Sequence, residues 1–301
     1  SKQCAIRYCR SSGRIEQTSA AVMLTRPIPS TGETMPVIGL GTWRAFDAGS
    51  DEAARRPLRQ VLQQLLDDGG RIVDTSPMYG RAEAVAGDLI AELGAELGAL
   101  PRIFFATKVW TTGRERGIEQ MQRSARLLRT DVIDLIQIHN LVDWRTHLAT
   151  LRRMKEQGSV RYIGITHYTT GALRELARIL RAEPGIDFVQ LGYSLATRAA
   201  EIELLPTALE RGIGVIVNQP LERGDLLRRV RGRALPDWAR EFECTGWAQL
   251  FLKYVLAEPA VTCVIPATGN PDHVKENLAA GFGTLPDARG RKQIRELWDS
   301  L

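Results

Sequence analysis

The sequence is poor in cysteine and in aromatic residues, and it has no long unbroken apolar run. Its four cysteines, Cys4, Cys9, Cys244 and Cys263, form no CxxC pair, and no His/Cys spacing resembles a zinc site. This excludes a disulfide framework and offers no metal centre. No stretch approaches the roughly 18 apolar residues that a membrane-spanning helix needs. Aromatic residues make up 6% of the chain and no nucleic-acid-reading motif is present, so the formal charge of +5 describes a solvated basic surface. The arginines are scattered along amphipathic stretches, as in Arg123, Arg126 and Arg129 or Arg228, Arg229, Arg231 and Arg233. The expectation is a cytoplasmic protein with neither nucleic acid nor membrane as partner.

What is present is enough for one large core: 301 residues, 44% hydrophobic and 25% charged. The opening segment is Arg- and Ser-rich and without periodicity, so residues 1–34 read as a flexible N-terminal extension and 35–301 as a single domain. From residue 35 onward, apolar runs at 37–41, 71–74, 103–107, 132–139, 162–165, 188–191, 214–218 and 262–266 alternate with helical patterns. The helical stretches lie at 52–68, 82–97, 117–128, 144–157, 170–181, 202–211, 247–256 and 273–280. Glycines at 69–70, 158 and 212 stand where three of them should stop. Eight buried strands alternating with eight helices predict an α/β chain folded as one (β/α)8 TIM barrel. An open doubly wound sheet would call for GxGxxG after its first strand, which is missing. Residues 221–246 break the spacing with a polar, Arg-rich segment, which makes them a candidate lid.

In such a barrel, reactive side chains project from the C-terminal ends of the strands. Asp74 ends the second run, Tyr79 follows five residues later, Lys108 closes the third and His139 closes the fourth. Strands two, three and four are neighbours, so these four groups can share a pocket. An ionised Asp holds the Lys ammonium, and the ammonium is expected to lower the Tyr79 phenol toward neutrality. The histidine can polarise a carbonyl. The set contains acid/base groups but neither a nucleophile nor a metal, which suits protonating an alkoxide as hydride arrives from a cofactor.

Several segments carry a family resemblance: IGLGTW (38–43), VDTSPMYG (73–80), ATKVW (106–110), DLIQIHN (134–140), IGIT (163–166), FVQLGYS (188–194) and VIPATGNPDHVKENL (264–278). Over residues 35–280 the chain resembles the aldo-keto reductases. The resemblance implies a (β/α)8 barrel, an NAD(P)H-dependent reductase of small aldehydes or ketones, and a catalytic tetrad at Asp74, Tyr79, Lys108 and His139. It also provides a precedent for a second reading, a cofactor-loaded regulatory or interaction subunit with little turnover.

By the same resemblance Gly41, Thr42 and Trp43 lie near the nicotinamide. Thr166, His167 and Gln190 fall where the family binds the carboxamide, with His167 replacing an amide. Asn218 stands where many members stack a tyrosine on the ring. Thr268, His273, Glu276 and Asn277 match the segment that holds the adenosine phosphate. There the usual Lys and Arg are replaced by Ala267 and His273, which weakens discrimination between the two cofactors. NADP(H) is therefore the first choice and NAD(H) the second, with Lys275 or the arginines of 223–233 as compensating charges. Trp43, Trp110 and Trp144 are the expected aromatic walls of the substrate pocket, since Asn140 follows the histidine where the family often has an aromatic.

Overall fold

The computed structural model describes residues 22–301. Two short antiparallel strands come first, β1 (Thr25–Pro27) and β2 (Thr34–Pro36). Eight parallel strands follow: β3 (Leu40–Gly41), β4 (Ile72–Asp74), β5 (Phe104–Val109), β6 (Ile133–His139), β7 (Val160–His167), β8 (Phe188–Gly192), β9 (Gly214–Asn218) and β10 (Val261–Val264). They neighbour one another in chain order. The first and last meet through Gly39 N–H to Val264 O at 2.9 Å and Val264 N–H to Val37 O at 2.9 Å, which closes the barrel. The (β/α)8 architecture expected from the alternating runs is therefore the one observed.

The closing seam is tight because it lacks side chains. A Cβ on Gly39 would lie 2.8 Å from that of Ile72, and one on Gly41 would lie 2.8 Å from the carbonyl oxygen of Ile265. β3 contributes only two ladder residues, fewer than its apolar run suggests.

Around the barrel run α1 (Glu52–Asp67), α2 (Ala82–Leu97), α3 (Arg114–Leu127), α4 (Trp144–Glu156), α5 (Leu173–Ala182), α6 (Leu204–Glu210), α7 (Asp225–Arg229), α8 (Trp247–Leu256), α9 (Pro271–Ala279) and α10 (Ala288–Ser300). α10 lies beyond the last helical stretch read from the sequence. Its Ile294 and Trp298, four residues apart, are buried, and Arg291 ties it down by bonding Glu258 at 2.6 Å and Glu201 at 2.9 Å.

Two expectations change here. The extension expected at 1–34 is not without structure throughout: residues 25–36 form the β1–β2 hairpin, with Ile28 and Met35 buried. The two apolar side chains have an interior to fill, and that fixes the segment. Residues 1–21 lie outside the described residues. The segment 221–246, the candidate lid, is not a break in the regular structure either, and its Leu221, Arg223, Gly224 and Leu227 line a cleft at the barrel mouth. It folds into α7 and short 3-10 turns that bury Leu226, Val230, Ala239 and Phe242.

Side-chain alternation explains what the barrel interior contains. Successive residues of a strand point to opposite faces, so inward positions are two apart. One inward set runs Phe104, Ala106, Lys108 on β5 and another runs Leu135, Gln137, His139 on β6. Tyr162, Gly164, Thr166 on β7 and Phe188, Gln190, Gly192 on β8 follow the same rule. The apolar members join one buried cluster with Ile28, Met35, Ile72, Ile216, Cys263 and Ile265. Along each of these four strands the inward set thus begins apolar at the base of the barrel and turns polar toward its mouth.

Candidate active site

Asp74 is the most densely bonded side chain at the mouth. Its Oδ1 accepts from Lys108 Nζ at 2.7 Å, and its Oδ2 accepts from Gln137 Nε2 at 3.0 Å and Gln190 Nε2 at 2.8 Å. Lys108 is buried and also donates to the Thr75 carbonyl at 2.7 Å. Burial works to neutralise this lysine, but Asp74 and Tyr79 outweigh it and hold the ammonium above its ordinary value.

Tyr79 reaches the group from a turn closed by its own N–H on Ser76 O at 3.0 Å. The Lys108 ammonium stands 5.1 Å from the centre of its ring. Burial pushes the Tyr79 hydroxyl above the usual phenol value, and Lys108 pulls it back without cancelling the rise. The phenol lowered by a neighbouring cation, as expected from the residue types, is thus corrected: desolvation of the phenolate is the larger effect.

His139 meets Tyr79 edge-on, with ring centres 6.2 Å apart, and its Nδ1 lies 3.2 Å from Ser76 Oγ. Burial, then the Lys108 ammonium, lowers the imidazole to about 3, so the ring is neutral across the physiological range. Among the described residues Nε2 has no hydrogen-bond partner, which leaves it available to a substrate oxygen.

These groups open onto one cleft of about 750 Å³, within the range of small-molecule sites. Gly41, Thr42, Trp43, Thr166, Gln190, Asn218, Thr268, His273, Glu276 and Asn277 all line it together with Asp74, Tyr79 and His139. Gln190 is engaged with Asp74 and accepts from Asn218 Nδ2 at 3.1 Å. Thr42 is pinned to the Asp74 carbonyl by both its N–H and its hydroxyl, each at 3.0 Å.

Three expected residues fall elsewhere. His167 ends β7 but does not line the cleft. Its Nδ1 accepts from Thr169 N–H at 3.2 Å, and its ring stacks on Tyr168, which takes the lining position. Trp144 starts α4 and packs against the outer core under the Arg145 guanidinium. Trp110 is 43% exposed, and its ring centre is 6.5 Å from that of His139, beside the cleft rather than in its lining. The compensating charges narrow as well: of Lys275 and the arginines of 223–233, Arg223 alone lines the cleft. Residues not singled out from the sequence enter instead. Gln137 shares Asp74 with Gln190, Ser76 holds His139, and Met78 and Arg44 line the opening. The two-residue alternation back from His139 points to Gln137; nothing in the pattern marks Met78.

Among the described residues no helix is long and apolar enough to cross a membrane, and no cluster of His, Cys, Asp and Glu could hold a metal ion.

A sequence profile described as the Aldo/keto reductase family matches residues 37–299. The chain is 26% identical over 257 residues to the methylglyoxal reductase YeaE of Escherichia coli, covering 82% of this chain and 85% of that protein. It is 24% identical over 335 residues to the NADH-specific methylglyoxal reductase of Escherichia coli, covering 91% of this chain and 98% of the other. An aldo-keto reductase from Klebsiella pneumoniae, solved in complex with NADPH, superposes with a TM-score of 0.74 at 26% identity over 92% of this chain and 96% of that one.

Proposed function

The chain belongs to the aldo/keto reductase family, and on that premise we propose that it reduces an aldehyde or ketone to an alcohol with Tyr79 as the proton donor. The observation that carries this reading is the buried Asp74–Lys108 pair placed against Tyr79 at a cleft that His139 also lines. A reduced nicotinamide bound in the cleft beside Gly41, Thr42 and Trp43 would supply the hydride for the carbonyl carbon. Tyr79 holds its proton at neutral pH as an ordinary phenol does, burial raising it further, and gives it from Oη to the oxygen that becomes the alcohol. Lys108 stabilises the phenolate left behind, and Asp74 holds Lys108 charged and in place. His139, neutral, donates from Nε2 to the carbonyl oxygen and fixes its direction; Ser76 at Nδ1 sets the ring.

The lining suits a nicotinamide dinucleotide. Asn140 and Asn218 each have a buried amide oxygen without a protein partner, and an amide donor such as a carboxamide satisfies such acceptors. Asn270 caps α9 by accepting from Asp272 N–H at 2.9 Å, and its own N–H donates to Thr268 Oγ1 at 3.1 Å, so this turn favours a phosphate through the positive end of the α9 dipole. NADP(H) is the first choice, supported by the NADPH-bound Klebsiella relative. NAD(H) stands second, supported by the relative named NADH-specific and by Ala267 and His273, which bring no fixed positive charge. Titration with NADPH and NADH is expected to give affinities within about tenfold of each other.

The test is Tyr79→Phe. Loss of the proton donor is expected to lower steady-state reduction by roughly 10²–10⁴-fold while cofactor binding is kept. A variant that turns over aldehydes as fast as the wild type contradicts the assignment.

A further inference from the structure

The turn at 110–113, between β5 and α3, has a side chain bonded to the backbone of every residue. Gln120 brackets Trp110, accepting from its N–H at 2.6 Å and donating to its carbonyl at 3.2 Å. His147 Nε2 donates to the Thr111 carbonyl at 2.7 Å. Arg116 donates to the carbonyl and the hydroxyl of Thr112, each at 2.8 Å, and Asp143 accepts from Gly113 N–H at 2.8 Å. Gln120 and Arg116 lie on α3, His147 lies on α4 and Asp143 just before it.

The hold has local costs. His147 is fully buried, and with Nε2 donating, its Nδ1 is an acceptor without a partner among the described residues. The ring fits only because α3 carries a glycine in its interior: a Cβ on Gly117 would lie 2.6 Å from His147 Cε1. Glycine there weakens the helix relative to alanine. Asp143 reaches Gly113 from left-handed backbone, with φ of 46°. Three unfavourable features that serve one short turn persist where the position of that turn matters.

The turn positions an exposed indole. The Trp110 ring centre lies 6.5 Å from that of His139, with the planes tilted by 57°. Met78 and Tyr168, also large and exposed, line the same mouth from the loops after β4 and β7. An aryl group on a carbonyl held at His139 Nε2 comes within reach of the indole, since aromatic rings attract at centre separations of about 4.5–7 Å. With its backbone already fixed, Trp110 loses little freedom on making that contact.

We infer that Gln120 and His147 are positioning residues that hold Trp110 as a fixed wall, selecting carbonyl substrates with a flat aryl group next to the carbonyl. This rests on the reductase reading of the same cleft. Neither side chain touches the substrate; both act through the backbone of Trp110 and Thr111.

The test uses benzaldehyde and cyclohexanecarboxaldehyde, which are similar in size but flat and puckered. They are reduced with NADPH by the wild type, Trp110→Ala, Gln120→Ala, the double variant of these two, Gln120→Glu and Gly117→Ala. The ratio of the two KM values is compared across the series, so that their different intrinsic reactivities cancel. Trp110→Ala and Gln120→Ala are each expected to raise KM for benzaldehyde roughly fivefold more than for the puckered aldehyde. Gly117→Ala, which crowds His147, moves the ratio the same way, and Gln120→Glu, which still accepts from Trp110 N–H, restores part of it. The double variant loses no more than Trp110→Ala alone, because Gln120 then has no wall to hold. Losses that multiply in the double variant overturn the proposal, as do equal rises in KM for both aldehydes or a ratio unmoved in Gln120→Ala and Gly117→Ala. If the wild type oxidises NADPH with neither aldehyde, the reductase reading fails. Benzamide and cyclohexanecarboxamide, titrated calorimetrically into the same variants, then decide the wall by the same ratio.

Discussion

At the base of the barrel Phe104, Tyr162 and Phe188 pack ring on ring, with centres 5.6–6.3 Å apart, and the hairpin sets Ile28 and Met35 beneath them. Charges there are matched: Arg161 bonds Asp134 at 2.7 Å and pairs with Glu33, and Arg102 bonds Asp134 at 2.8 Å. At the mouth the barrel strands β4, β5, β6 and β8 carry Asp74, Lys108, Gln137, His139 and Gln190, and several polar groups lack partners, among them the amide oxygens of Gln137, Asn140 and Asn218. Left-handed non-glycine backbone also collects there, at Arg44, Asn140, Leu141, Asp143, Gln219, Glu222 and Arg223. The base supplies cohesion to a mouth whose own residues are arranged at the expense of it. A cluster of strain and unmatched polarity at one end supports placing the proposed chemistry at the mouth.

The sharpest way to break this contrast is Lys108→Met. It leaves the Asp74 carboxylate buried without its cation, which is expected to cost about 3–5 kcal/mol of stability as well as turnover. Urea unfolding together with kinetics reads both. An unchanged midpoint would show that the mouth does not depend on this ion pair. At the base, Phe188→Ala opens a cavity among three rings and is expected to cost about 3 kcal/mol. Turnover per folded molecule should stay within about twofold, because the chemistry lies several residues away along the barrel axis. A large fall in kcat there would join the two ends that the comparison separates.

The pH dependence separates the ends more finely. His139 has a folded value of about 3, below its ordinary value of 6.5. The unfolded chain therefore binds a proton that the folded one refuses, and stability from this group, full above pH 6.5, falls as the pH drops toward 3. Between about pH 7.5 and about pH 5 the wild type should lose about 2 kcal/mol more than His139→Gln. Parallel curves for the two proteins would contradict a buried neutral imidazole. The smallest effect is expected of Gln137→Leu, which takes one of two amide donors from Asp74 Oδ2. About 1.5 kcal/mol is expected, read as roughly tenfold in kcat with KM little changed. A change in KM alone would give Gln137 a role in binding rather than in positioning Asp74.

Much of the barrel could be read from the chain because parallel strands covered on both faces are continuous apolar runs, and each of the eight runs became a strand or part of the closing seam. The four mouth residues were legible because each lies at or just past the end of a run. What escaped lay where that rule does not operate. The hairpin at 25–36 has too few apolar residues to show a period, and only the open base of the barrel makes Ile28 and Met35 core. α10 required knowing that Ile294 and Trp298 had a surface left to cover. His167 and Trp144 turn away from the cleft although they lie close to strand ends in sequence, since that proximity does not settle which way a side chain turns. Gln137 lay within reach: counting back by two from His139 selects it, whereas the continuous apolar run around it conceals it. The charged neighbour of Tyr79 predicts a lowered phenol, while burial, which no local pattern reports, decides the direction.

Reduction with NADPH carrying deuterium at the transferring C4 position tests the central claim most directly, with the alcohol product analysed by mass spectrometry. The account predicts one deuterium on the former carbonyl carbon, formed by the wild type and nearly absent with Tyr79→Phe under the same conditions. An alcohol formed without that label, or labelled as fast by the phenylalanine variant, would contradict it.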